Sequence, residues 1–120
     1  SDLGEFRPHQ SAEAFAFLAA NAESEGPATV SGRLYAPAWY PGLVPGPGSE
    51  VRGEVWRLSS EAVFTPLDAF EGEPYAREAV TVRFPDGREV TAHTYRCVAS
   101  IAGVPPIPSG DYLDWVRTSS

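Results

Sequence analysis

Lysine and methionine are both absent from the 120 residues, cysteine occurs once and histidine twice. Each absence removes a class of chemistry. Without lysine there is no Schiff base, no P-loop amine and no pyridoxal attachment on this chain. The single cysteine, Cys97, permits neither an intramolecular disulfide nor a cysteine metal cluster. It falls between Tyr95 and Val98 in a strand-like run, where a small buried hydrophobe is expected in preference to a nucleophilic thiol. His9 and His93 are far apart and no HExxH spacing occurs, so no metal site and no cofactor are expected.

Positive charge is scarce too. Sixteen acidic residues stand against nine arginines, for a net charge of −7. Arg83, Asp86, Arg88 and Glu89 intersperse the two signs, so no basic stripe forms and nucleic acid is not an expected partner. No apolar run approaches membrane-spanning length and no signal peptide opens the chain. A membrane partner is therefore not expected, and the cytoplasm is the default location. The missing methionine predicts an encoded start other than Ser1. Arginine without lysine, with abundant alanine and proline, points to a GC-rich bacterial genome.

What is present is an ordinary globular composition, 42% hydrophobic and 21% charged. A chain of this length fits one domain, residues 1–120, and should bury roughly two-thirds of its unfolded surface without help from metal or disulfide. Residues 11–22 read as a helix: Phe15, Leu18, Ala19 and Ala22 share a face, Ser11 can cap the start, and Gly26-Pro27 ends it. Val30 and Leu34 alternate with Ser31 and Arg33, predicting a half-buried strand over 29–35. Residues 36–50 carry Pro37, Pro41, Pro45 and Pro47 among glycines and aromatics, and read as a shaped loop.

Val51, Gly53 and Val55 alternate with Arg52, Glu54 and Trp56 in a second strand, whose Gly53 predicts a bulge or the close approach of another backbone. Ser59 to Phe70 reads as one or two short helices, with Ser60 as cap and a restart at Thr65-Pro66. Strands over 77–84 and 88–97 are joined by Pro85-Asp86-Gly87, a hairpin signal. Ser109 can cap a last short helix through Trp115. Strands, one hairpin and short helices together predict an α+β fold on a small, mixed, barrel-like sheet.

Four segments, in order, resemble one family. They are Gly32-Arg33-Leu34-Tyr35 with Tyr40-Pro41-Gly42-Leu43-Val44-Pro45; Val51-Arg52-Gly53-Glu54-Val55-Trp56; Leu67-Asp68-Ala69-Phe70-Glu71-Gly72-Glu73-Pro74-Tyr75-Ala76-Arg77; and Ile107-Pro108-Ser109-Gly110-Asp111-Tyr112. Across residues 32–112 the chain is similar to the γ-glutamylcyclotransferase-like proteins, which include the plant AIG2-like group. That resemblance implies a barrel-like core with rim helices, a cavity at one end, and cofactor-free chemistry. The α-amine of a γ-glutamyl compound attacks its own γ-carbonyl, releasing 5-oxoproline and an amine or amino acid. The family glutamate falls on Glu71. The resemblance also implies an N-terminal Tyr-Gly-(Ser/Thr)-Leu loop lining the cavity. Ser1 matches its third position, Asp2 interrupts before Leu3, and the preceding tyrosine, glycine and strand are not in this chain. Ser1 and Leu3 are the candidate substrate contacts there.

On its own chemistry, closing a five-membered lactam is already intramolecular, so the protein must hold the substrate bent and manage protons. A carboxylate can take a proton from the α-ammonium and return it to the leaving amine. Glu71, between Phe70 and the turn-permitting Gly72, suits that task if burial raises its basicity, and Asp68 one turn earlier lies on the same side of a helix. Read without the family, Asp-Ala-Phe-Glu-Gly is equally an amphipathic helix end with a glycine cap and two solvated acids. Tyr75 is either a cavity wall or packing beneath a loop, and Arg77 a partner for a protein or substrate carboxylate. Tyr35 and Tyr40, with Trp39, flank the Pro/Gly loop as a cavity wall or dimer contact. Glu54 is either an arginine-paired strand residue or a site residue, Glu73 reads as a surface charge, and His93 as structural.

The leading expectation is thus a cyclotransferase acting through Glu71 on a small γ-glutamyl compound. The alternatives are a non-catalytic domain of the same fold that binds a small carboxylate, and an interaction module docking through residues 36–50.

Overall fold

The computed structural model describes residues 3–8, 12–35, 42–72, 75–98, 104, 106–107 and 110–111. Its elements are β1 (Gly4–Arg7), α1 (Ala12–Asn21), β2 (Ala22–Tyr35), β3 (Gly42–Leu58), a 3₁₀ turn (Glu61–Val63), α2 (Phe64–Glu71), β4 (Tyr75–Arg83) and β5 (Glu89–Cys97). The strands close a barrel in the order β1-β3-β2-β4-β5. β1 seals it, running antiparallel to β3 and parallel to β5, with the Thr94 hydroxyl donating to the Phe6 carbonyl at 2.9 Å. The expected α+β, barrel-like architecture is what forms.

Adjacent strand residues point to opposite faces of the wall, and the two faces are covered differently. Phe6, Val30, Leu34, Leu43, Val51, Val55, Val82 and Ala92 fill the barrel. Trp56, Leu58 and Tyr95 face outward and are roofed by Leu18 of α1, Val63 of the 3₁₀ turn and Phe64 and Leu67 of α2. The helices are short, and this shared apolar layer is what holds them in place.

Three expectations from local sequence hold. The Pro85-Asp86-Gly87 hairpin closes with Phe84 N–H on the Arg88 carbonyl and Gly87 at a positive φ of 92°. Gly53 admits another backbone: a Cβ there would lie 2.4 Å from the Arg7 carbonyl oxygen. Cys97 is buried in β5.

Three expectations need correction. The first helix is not ended by Gly26-Pro27: α1 stops at Asn21, β2 begins at once and carries both residues in its ladder, and Phe15 of the expected apolar face is exposed. Residues 42–50 are not loop but the first half of β3, paired with β2 from Tyr35↔Gly42 to Gly32↔Pro45. The prolines are tolerated because the ladder breaks there. Ser31 pairs with Glu50 and Gly32 with Pro45, so residues 46–49 bulge out unopposed. The second helical segment does not restart at Thr65-Pro66 under a Ser60 cap. Ser60 makes no side-chain cap bond, the 3₁₀ turn runs straight into α2, and Pro66 sits in the first turn, where its missing N–H has no helical partner to lose. The Ser11 cap, Trp39 and Glu73 lie outside the described residues. Of the helix expected over 109–115 only Gly110 and Asp111 are described, and they are not helical, Gly110 making a bend at a positive φ of 65°. No described helix is long and apolar enough to cross a membrane.

Candidate active site

β5 and the start of β4 meet the C-terminal end of α2 on the outer face of the barrel, and the functional candidates gather there. Gly72 ends α2 in a positive-φ conformation (φ 74°), its N–H donating to the Asp68 carbonyl at 3.1 Å. Only glycine adopts that geometry without cost. The turn it makes brings Tyr75 and the opening of β4 back beside the helix, and leaves Asp68 and Glu71 on its flank.

Asp68 is the hub of one cluster. Arg77 on β4 donates to it from Nε at 3.0 Å and from Nη2 at 3.3 Å, and the Tyr95 hydroxyl donates at 2.7 Å. The Arg77 guanidinium lies 4.3 Å above the Phe64 ring, and Phe64 in turn meets the His93 ring at 5.1 Å. Asp68, Tyr75, Arg77, His93 and Tyr95 line an open cleft of about 440 Å³. Burial pushes the Tyr95 phenol well above its ordinary value, and its bond to Asp68 pushes the same way. Tyr95 therefore stays a donor.

Glu71 is held by a different cluster. Its Oε1 is 2.5 Å from Nη2 of Arg7, whose Nη1 reaches Glu5 Oε1 at 3.0 Å. Glu5 is fully buried and Arg7 only 5% exposed, whereas the Glu71 side chain keeps 14% of its surface. Burial drives the Glu5 carboxyl up from 4.5 to about 7, against the opposing pull of Arg7. Burial disfavours the Arg7 cation, but the two carboxylates outweigh it and raise its value. Glu5 Oε2 and Arg7 Nε have no hydrogen-bond partner among the described residues. Tyr95 joins the two clusters, its hydroxyl on Asp68 and its ring 6.0 Å from the Arg7 guanidinium.

Of the residues expected at the site, Tyr75 and Arg77 share the cleft with Asp68, and Glu71 stands one helical turn from Asp68 beside it. Arg77 binds a protein carboxylate, one of its two expected roles. Tyr35 is half-buried at the end of β2, the strand that neighbours Tyr75's β4 in the barrel, and bridges Pro106. Leu3 precedes β1 at its other end, its carbonyl accepting the Leu58 N–H at 2.8 Å, away from Arg7. Ser1 and Tyr40 lie outside the described residues. Glu54 accepts from the Ser24 hydroxyl, a structural contact. The residues that sequence reasoning missed are Glu5, Arg7 and Tyr95. The alternation in Gly4–Arg7, with Phe6 to one face and Glu5 and Arg7 to the other, is the only signal they carry, and four residues are too few to read.

The model of the family described as gamma-glutamyl cyclotransferase, AIG2-like, matches residues 4–114. The chain is 39% identical over 84 residues to the gamma-glutamylcyclotransferase family protein YtfP of Escherichia coli K12, a stretch covering 68% of each chain. The solution structure of E. coli ytfP superposes with a TM-score of 0.69 at 32% identity, over 92% of this chain and 96% of that one. A mouse AIG2-like protein shares the fold at a TM-score of 0.73 and 22% identity, over 92% of this chain and 87% of that one. The barrel, the Asp68–Glu71 turn and the sequence match agree: the chain belongs to the gamma-glutamyl cyclotransferase, AIG2-like, family.

Proposed function

We propose that this protein catalyses a γ-glutamyl cyclotransferase reaction, with Glu71 moving the protons. The carrying observation is a carboxylate at the end of α2, mostly withdrawn from water yet not sealed, beside a cleft that displays Arg77, Tyr75 and Asp68.

The substrate binds with its α-ammonium at Glu71 and its γ-carbonyl carbon turned toward the α-nitrogen. Glu71 takes a proton, the amine attacks the γ-carbonyl carbon, and a C–N bond closes the lactam ring. The bond to the leaving nitrogen then breaks. Two protons pass in all from the α-nitrogen to the departing amine, which leaves as its ammonium while 5-oxoproline keeps one N–H. Tyr75 and Arg77 contact the substrate from the cleft, Arg77 exchanging part of its hold on Asp68 for the substrate carboxylate. Tyr35, at the end of β2, is a further substrate contact in this reading, whereas Leu3 sits at the end of β1 away from Arg7 and is left out of it. No metal or cofactor takes part.

One observation favours the second reading, a domain that binds a small carboxylate without turnover. Glu71 is already paired with Arg7, and a carboxylate so engaged must give up or share that bond before it can serve an ammonium. The discriminating experiment measures 5-oxoproline release from a panel of γ-glutamyl amines and γ-glutamyl dipeptides. Turnover of at least one member supports the cyclotransferase. Saturable binding of the panel with no release supports the binding domain.

A further inference from the structure

The ion cluster on β1 has no part in the chemistry above, yet it is costly to build. Taking charged groups out of water is repaid only by close pairing, and here the pairing is incomplete: one oxygen of Glu5 and one nitrogen of Arg7 have no partner among the described residues. An apolar pair at these positions would be the cheaper way to seal a barrel wall. Arg7 bridges the wall to the last residue of α2, 64 positions along the chain. It is anchored from behind, because Glu5 is wholly buried and cannot follow it outward.

We propose that Arg7, steadied by the buried Glu5, is a positioning residue that fixes the Glu71 carboxylate toward the cleft. The inference rests on reading Glu71 as the proton-transfer group. A helix end closed by glycine is free to fray, and a glutamate there would sample several rotamers. One short charge-assisted bond to Oε1 removes that freedom and leaves Oε2 as the oxygen offered to substrate. Gly53 belongs to the same device, since any side chain there would push the Arg7 backbone off β3.

Arg7 on its own strand, Glu71 on α2, and His93 and Tyr95 on β5 face Glu5, and Glu54 on β3 lies opposite Arg7. Glu5 and Glu71 are thus two acids on one guanidinium, and a change of charge on one is felt by the other through Arg7.

The test compares wild type with Arg7→Met, Arg7→Lys and the paired variant Glu5→Gln/Arg7→Met, which removes both buried charges so that folding is not compromised by an orphaned acid. For a folded paired variant, kcat for 5-oxoproline release should fall about tenfold or more while KM changes less than about threefold, because a loosened base loses transition-state geometry and little ground-state binding. Arg7→Lys should lie between. A folded paired variant with kcat within about twofold of wild type overturns the proposal. Should wild type itself release no 5-oxoproline, the reading of Glu71 as base fails, and the clamp is judged separately from the carboxyl ¹³C resonances. The Glu71 resonance must move between wild type and the folded paired variant, where the Arg7 bond to its Oε1 is gone. An unmoved Glu71 resonance in the folded paired variant overturns the clamp.

Discussion

The two faces of one barrel wall follow different rules. Inside, Phe6, Val30, Leu34, Val55, Val82 and Ala92 meet only one another and the hydrocarbon of neighbouring strands. Outside, residues one step away along the same strands, Glu5, Arg7, Trp56 and Tyr95, mix charge and aromatic surface beneath α1 and α2. The inner face is what stable folding asks for, with apolar groups packed and nothing polar left over. The outer face departs from that economy, and it departs where Glu71 lies. A layer that keeps a buried guanidinium, a buried acid and two carboxylates at one helix end is built to hold charges in place.

The largest effect should come from breaking that arrangement. Arg7→Ala leaves Glu5 buried with no cation, and urea denaturation at neutral pH should show a loss of about 3–5 kcal/mol. Leu34→Ala on the inner face should cost a similar amount, about 2–5 kcal/mol, through the cavity it opens. The two losses should differ in kind: the first should shrink in acid, where Glu5 is neutral, and the second should not. An Arg7→Ala loss below about 1 kcal/mol at neutral pH would place the cluster in water and erase the contrast.

Next comes the pH dependence of wild type. Glu5 holds its proton more tightly folded than unfolded, with a value of about 7 against 4.5. Its contribution is therefore fully present below pH 4.5 and lost as pH rises through 7. The span is about 3 kcal/mol, at 1.36 kcal/mol per unit. Stability measured by denaturant midpoint between pH 4.5 and 7.5 should fall, and Glu5→Gln should flatten the fall.

The smallest effect belongs to the exposed half of the site. Asp68 is paired with Arg77, but both are open to water, with side chains 45% and 34% exposed. Asp68→Asn should cost about 0.5–1 kcal/mol, weakening with added salt. A larger, salt-independent loss would move Asp68 into the buried class with Glu5.

The sequence made some of this plain and hid the rest, for physical reasons. The β4–β5 hairpin was legible because Pro85-Asp86-Gly87 demands a turn, and the crowding at Gly53 because a glycine inside a strand pattern needs a cause. Residues 42–50 were read as loop because Pro45 and Pro47 cannot donate to a ladder, and the register break that accommodates them is not visible locally. β1 was unread because its buried residues include a glutamate and an arginine, the types least expected inside. Glu71 was singled out as a candidate through the motif around it. Its partner Arg7 was not, because a contact across 64 residues leaves no periodicity behind.

Turnover set against binding for Glu71→Gln is the measurement that bears most directly on the site. The amide keeps the size and a hydrogen bond to Arg7 but cannot accept the substrate's proton. Release of 5-oxoproline should fall by about 10²-fold or more while the affinity for a γ-glutamyl compound, measured by calorimetry, stays within about threefold. A Glu71→Gln protein that turns over at the wild-type rate would contradict the assignment of Glu71 and with it the role given to the end of α2.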